Sequence, residues 1–171
     1  IEHNRLVMSC DDELIADYNM TYLAHSVQFP DQKPRVCMLY YSRKQQTGKS
    51  RYFEFLCEHL YGYRNSIFLN NWDDITGDKN GHLEGKCFVV LDEASSKVSN
   101  FRSNSDIMKN LITTKRKKLT MLYPDGYGVD YYTRYVICTN NVTAVQIDGE
   151  HDDRYFMTEG SDKFKGNTEY F

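Results

Sequence analysis

Three short apolar runs constrain the fold more than any other feature: Val36–Tyr41, Lys86–Leu91 and Tyr135–Cys138. Each is rich in β-branched or aromatic residues, and none alternates apolar with polar positions. A strand buried on one face alternates with period two, whereas a strand covered on both faces reads as a continuous apolar run. The runs therefore predict central strands of a mostly parallel sheet. Each ends abruptly on polar residues: Ser42 to Ser50 after the first, Asp92-Glu93 after the second, Thr139-Asn140-Asn141 after the third. Parallel strands need crossover connections, and the intervening segments carry helical patterns, so the class is α/β with helices on both faces of the sheet.

The remaining elements fit between these runs. Residues 1–29 read as an N-terminal helical segment, capped by Asp11-Asp12, with Leu14, Ile15, Tyr18, Tyr22 and Leu23 at helical spacing. Pro30 and Pro34 frame a loop, and residues 30–171 form the core domain. Tyr52, Phe53, Leu56 and Leu60 line one face of a helix that ends at Gly62. Ser66–Leu69 is a second strand. Residues 70–85 and 95–104 read as loops, and Ser105–Thr113 as a helix. Residues 119–123 and 129–133 flank Pro124-Asp125-Gly126 as a β-hairpin before the last apolar strand. The tail reads as irregular. A chain of 171 residues suits one compact domain. It starts at Ile1 rather than Met, which reads as a piece of a longer protein.

Composition narrows the function classes. The net charge is -3 and the pI about 6.0, unlike a small stand-alone nucleic-acid binder, so any such contact needs a local basic patch or several subunits. The five cysteines are odd in number and lack metal-knuckle spacing, which reads as free thiols in a reducing, intracellular setting. No apolar run is long enough to span a membrane.

The segment Gln46-Thr47-Gly48-Lys49-Ser50 lies between a strand and a helix. A triphosphate needs backbone N–H groups converging at a helix start, a Lys reaching its β- and γ-phosphates, and a hydroxyl for Mg²⁺. Gln46, Thr47, Gly48, Lys49 and Ser50 supply these. The plain alternative is a chance Gly-Lys-Ser at a helix start. Asp92-Glu93 downstream adds the two carboxylates such chemistry needs. Asp92 would serve the metal together with Ser50, and Glu93 would polarise the attacking water as general base. Asn140 can orient that water, although an Asn-Asn pair also suits a turn. Arg154 can reach a neighbour's γ-phosphate or pair locally with Asp152 or Asp153. Lys115, Arg116, Lys117 and Lys118, with Tyr127 nearby, offer a phosphate-backbone grip or simply a solvated basic face.

Taken in order, these residues resemble the superfamily 3 helicase domain of viral primase-helicases from large DNA viruses and phages. The resemblance runs from about Leu23 to Phe171. Gln46–Ser50 resembles the family's phosphate loop, Val89–Ala94 its acidic motif and Met108–Thr113 the helix before its DNA-contacting hairpin. Arg134–Asn140 resembles its sensor strand, and Asp153-Arg154-Tyr155-Phe156 its arginine-containing stretch. The resemblance implies a P-loop NTPase of AAA+-like type, a three-layer sandwich. It implies catalytic roles for Lys49, Glu93, Asn140 and Arg154, with ATP and Mg²⁺ as cofactors. It further implies single-stranded DNA as partner, a homo-oligomeric ring of usually six subunits, and a primase domain in cis. Three positions depart from the pattern: Arg43 stands where a leading Gly belongs, Tyr155 replaces a second Arg, and the hairpin tip is Pro124-Asp125-Gly126 rather than Lys-Gly. The alternatives are a P-loop NTPase of another class, such as an RNA-virus helicase or packaging ATPase, and a nucleotide-binding module with little hydrolysis.

Overall fold

The computed structural model describes residues 1–92, 101–120, 127–141 and 152–170, with the backbone alone for 101–103. The apolar runs are strands: β1 is Cys37–Tyr41, β2 Ser66–Leu69, β3 Phe88–Leu91, β4 Arg116–Leu119, β5 Tyr127–Asp130, β6 Arg134–Thr139 and β7 Tyr155–Glu159. Five of them form one sheet in the order β2-β3-β6-β1-β7, and all four pairings are parallel. The principal helices are α1 (Glu13–Gln28), α2 (Lys49–Phe55), α3 (Asp73–Thr76) and α4 (Phe101–Thr113).

Residue alternation along the central strands sends side chains into two separate cores. Leu39, Val89, Leu91 and Ile137 point to the face covered by Met108, Leu111 and Ile112 of α4. Met38, Tyr40, Val90 and Val136 point to the opposite face, covered by Tyr22 and Leu23 of α1 and Phe53 of α2. Each fully buried aliphatic side chain contributes about 1.5–3 kcal/mol relative to exposure. Burial on both faces explains the continuous apolar runs, and the layering is helix, sheet, helix. The N-terminal segment is part of this packing, since Val7, Met8, Tyr22 and Leu23 share one core with Met38 of β1.

Several local expectations are corrected. The N-terminal segment is two pieces, a π-helical turn at Asn4–Met8 and then α1. The break falls at Cys10 and Asp11, both with positive φ, and the Asp12 carboxylate caps α1 by accepting from the Ile15 N–H at 3.1 Å. Residues 70–85 hold α3 and a 3₁₀ turn at Gly81–Leu83 because Trp72, Ile75 and Leu83 are core residues. Helix α4 begins at Phe101, inside the stretch expected to be loop. The hairpin pairs Arg116–Leu119 with Tyr127–Asp130, so the basic run is itself a strand; residues 121–126 lie outside the described residues. The tail is not irregular: β7 pairs along the whole of β1.

One buried charge fastens α1 to the sheet. Arg134, at the start of β6, is 1% exposed. Its guanidinium donates to the carbonyls of Phe29 at 2.7 Å and Gln32 at 2.6 Å, and more weakly to Pro30 at 3.4 Å. Phe29 is the residue that ends α1, so the guanidinium sits where the helix presents unpaired carbonyls and partial negative charge. Arg134→Met keeps much of the volume but removes charged hydrogen bonds to part-buried carbonyls, a class of bond that contributes about 1.5–3 kcal/mol each. Urea unfolding of this variant is expected to show a loss of at least about 2 kcal/mol.

Candidate functional site

In a parallel sheet all the strands leave by the same edge, so the loops after β1, β3 and β6 converge. Register places Tyr41 beside Thr139 and Leu91 beside Ile137. The residues that follow therefore meet at one open cleft of about 550 Å³. Gln46, Thr47, Gly48, Lys49, Ser50, Asp92 and Asn140 all line it. Ligand sites of open α/β sheets lie in this position, outside the carboxyl ends of the strands.

The loop after β1 turns at Gln46 (φ 61°) and Gly48 (φ 93°). Arg43 opens a bend over residues 43–45 without left-handed backbone of its own. It lies on the surface, and its guanidinium meets Glu159 at 3.4 Å. The loop thus bends at this position without glycine's freedom, and its left-handed residues come later, at Gln46 and Gly48. Gly48 carries the left-handed conformation just before α2, where only glycine is unstrained.

Lys49 is 6% exposed. Its ammonium donates to the Ser42 hydroxyl and to Asn140 Oδ1 at 3.1 Å, with Thr47 Oγ1 at 3.4 Å. Burial pushes the Lys49 pKa below the usual lysine range, while Asp92 acts in the opposite direction. Ser42 links the loop to β6 as well, since its hydroxyl lies 3.1 Å from Asn140 Oδ1. Beside this network, the Ser50 hydroxyl donates to Asp92 Oδ1 at 2.8 Å. The cleft thus holds a cation with exchangeable oxygen partners and a hydroxyl–carboxylate pair of hard oxygen donors. Such a pair suits Mg²⁺ rather than a soft transition metal. Among the described residues there is no cluster of three or more His, Cys, Asp or Glu that would form an all-protein metal cage.

The other sequence-derived candidates lie elsewhere. Glu93 falls outside the described residues. Arg154 stands just before β7, its carbonyl accepting from the Cys37 N–H, and so belongs to the edge of the sheet opposite the cleft. Its guanidinium grips Asp152 through Nε at 2.7 Å and a terminal nitrogen at 3.0 Å. Lys115, Arg116, Lys117, Lys118 and Tyr127 sit on or beside the β4–β5 hairpin, also away from the cleft. The Tyr127 hydroxyl donates to Glu84 at 2.5 Å.

Sequence reasoning missed Ser42, which presented only as a hydroxyl residue directly after an apolar strand. It also missed the tail. Asp162 pairs with Lys44 at 2.5 Å, and the Gly160 N–H donates to Tyr41 O at 2.6 Å, so the stretch after β7 braces the loop after β1. No local pattern in 159–162 signals this. Among the described residues no helix is long and apolar enough to cross a membrane, and all five cysteines are free thiols.

Residues 40–154 match a family described as a family of unknown function, DUF5906, and the chain belongs to it. No curated protein matches the sequence. Among solved structures, the apo C-terminal region of NrS-1 superposes with a TM-score of 0.84 at 19% identity, covering 96% of this chain and 39% of that one. A second, A-form apo structure of that region gives 0.83 at 19% identity, over 96% of this chain and 38% of the other. The likeness is one of fold, and this chain spans about two fifths of the neighbour's length.

Gly48→Ala forces a Cβ into left-handed backbone and is expected to cost about 1–2 kcal/mol. A lowered thermal midpoint checks this, and an unchanged one contradicts the strained turn.

Proposed function

We propose that the chain is the ATP-driven motor module of a viral-type replication protein, with a P-loop NTPase core of AAA+-like type. One observation carries the reading: Lys49 and Ser50 at the start of α2, Asp92 after β3 and Asn140 after β6 come from three separate segments and meet in one cleft. In this reading the β- and γ-phosphates of ATP displace the Ser42 and Asn140 oxygens from the Lys49 ammonium. The backbone N–H groups at the start of α2 add to the grip. Ser50 and Asp92 would hold Mg²⁺, which would supply positive charge against that developing on the phosphates. Asn140, released from Lys49, orients the attacking water, and Glu93, next after Asp92 in the chain, accepts its proton.

Arg154 lies across the sheet from its own cleft, so a catalytic role requires a neighbouring subunit. The proposal therefore includes a homo-oligomeric ring, in which Arg154 exchanges Asp152 for a neighbour's γ-phosphate. It also includes translocation on single-stranded DNA and a primase domain in cis.

Lys49→Ala is expected to lower the Mg-ATP turnover rate by at least about a hundredfold, with the circular dichroism spectrum unchanged. Undiminished turnover refutes the site. Turnover per subunit is further expected to rise with protein concentration in the wild type but not in Arg154→Ala. A rate independent of concentration contradicts the role of Arg154 in trans.

A further inference from the structure

A second cleft, of about 510 Å³, opens at the other edge of the sheet. It is formed by the loop before β1, the end of α4 and the segment joining β5 to β6. Lys33, Arg35, Lys115 and Arg116 line it, against Asp31 and Asp130. Of these carboxylates, Asp130 is engaged with Arg116 at 3.6 Å. This is a local excess of positive charge in a chain whose net charge is -3.

The cleft is organised around the Tyr131 ring. The Lys33 ammonium lies 4.5 Å from its centroid and that of Lys117 lies 5.3 Å away. Lys33 also donates to the Leu111 and Thr114 carbonyls at 2.5 and 3.0 Å, where α4 ends in partial negative charge. Among the described residues neither lysine has a carboxylate within ion-pair distance. Two half-buried cations share one ring with no carboxylate paired to either, an arrangement that an incoming anion would favour. Burial holds the Lys33 pKa down to about 7, with Lys117 adding to the effect, and burial holds Lys117 at about 8. Arg35 is exposed at the cleft, with left-handed backbone at φ 59°. Tyr132, 41% exposed, presents an aromatic ring at the cleft's rim.

The geometry points to this cleft as the seat of a single-stranded nucleic-acid backbone, one phosphate facing Lys33 and Arg35 and an adjacent base stacked on Tyr132. The inference rests on the motor reading for its choice of partner and moves the grip away from Tyr127 to the base of the hairpin. Cations supply the affinity, and an aromatic ring supplies sequence-tolerant stacking. A bound phosphate raises the pKa of both lysines, so binding takes up protons. Affinity then falls as pH rises from about 7 through 8, the range in which Lys33 and Lys117 lose their charge while Arg35 and Arg116 keep theirs. Asp31, Asp130, Arg35, Lys115, Arg116, Tyr131 and Tyr132 are the other ionisable groups lining the cleft.

Fluorescence anisotropy with labelled oligo(dT) tests this on the intact chain. Arg35→Met is expected to weaken binding by about tenfold and to make the log–log salt slope shallower by roughly 0.7. Tyr132→Ala is expected to weaken it at least about fivefold. Lys33→Met is expected to act similarly and to flatten the pH dependence, while Lys165→Met, remote from the cleft, leaves affinity unchanged. If Lys33→Met unfolds, Arg35→Met and Tyr132→Ala, both at exposed positions, still decide the matter. Unchanged affinity in these two variants overturns the proposal, as does competition by inorganic tripolyphosphate that is indifferent to Tyr132. A wild type that binds Mg-ATP but no oligonucleotide also overturns it, while leaving the ATP site standing.

Discussion

Everything else in the molecule follows from parallel pairing in a sheet buried on both faces. Parallel strands cannot be joined by tight turns, so each connection must cross a face of the sheet and cover it. That requirement produces the two cores, one beneath α4 and one beneath α1 and α2. It also fixes where chemistry can occur. The ends of β1, β3 and β6 share an edge, so Lys49, Asp92 and Asn140, far apart in sequence, are neighbours in space. The opposite edge collects the loop before β1 and the hairpin, where the basic cleft lies. Strands β1 and β6 run directly between the two.

Polar networks complete what packing begins. Arg134 ties the end of α1 to β6 through carbonyls rather than a carboxylate, which keeps a full positive charge inside the fold at the cost of desolvation. Ser42 performs a related task at the cleft, holding the Lys49 ammonium and lying within hydrogen-bonding distance of Asn140. Lys49 is thus pre-positioned, with oxygen partners that a phosphate can replace. The Ser50–Asp92 bond likewise orients a hydroxyl and a carboxylate for a hard cation.

The central strands were legible in the sequence because burial on both faces leaves an unbroken apolar signature, and the cleft was legible because its residues directly follow those strands. Strand β7 was not. Tyr155-Phe156-Met157-Thr158 sits among charged residues, and its strand character comes from a parallel partner more than a hundred positions away. Ser42 and the bracing contacts from 159–162 escaped for the same reason, since they are set by tertiary proximity. The hairpin register was misread because Arg116–Leu119 looks like a solvated basic run, yet Lys117 and Leu119 alternate inward. Arg43 stands where a glycine was expected, and the structure accommodates it because the bend over residues 43–45 puts no left-handed backbone on Arg43; that conformation falls at Gln46 and Gly48.

The central claim is that this cleft receives a magnesium-bound nucleoside triphosphate. Isothermal titration of a non-hydrolysable ATP analogue, with and without Mg²⁺, into the wild type and Asp92→Asn tests it most directly. The account predicts saturable binding to the wild type that Mg²⁺ strengthens, and an Asp92→Asn protein in which Mg²⁺ no longer adds affinity. Binding that ignores both Mg²⁺ and Asp92, or no binding by a folded wild type, contradicts it.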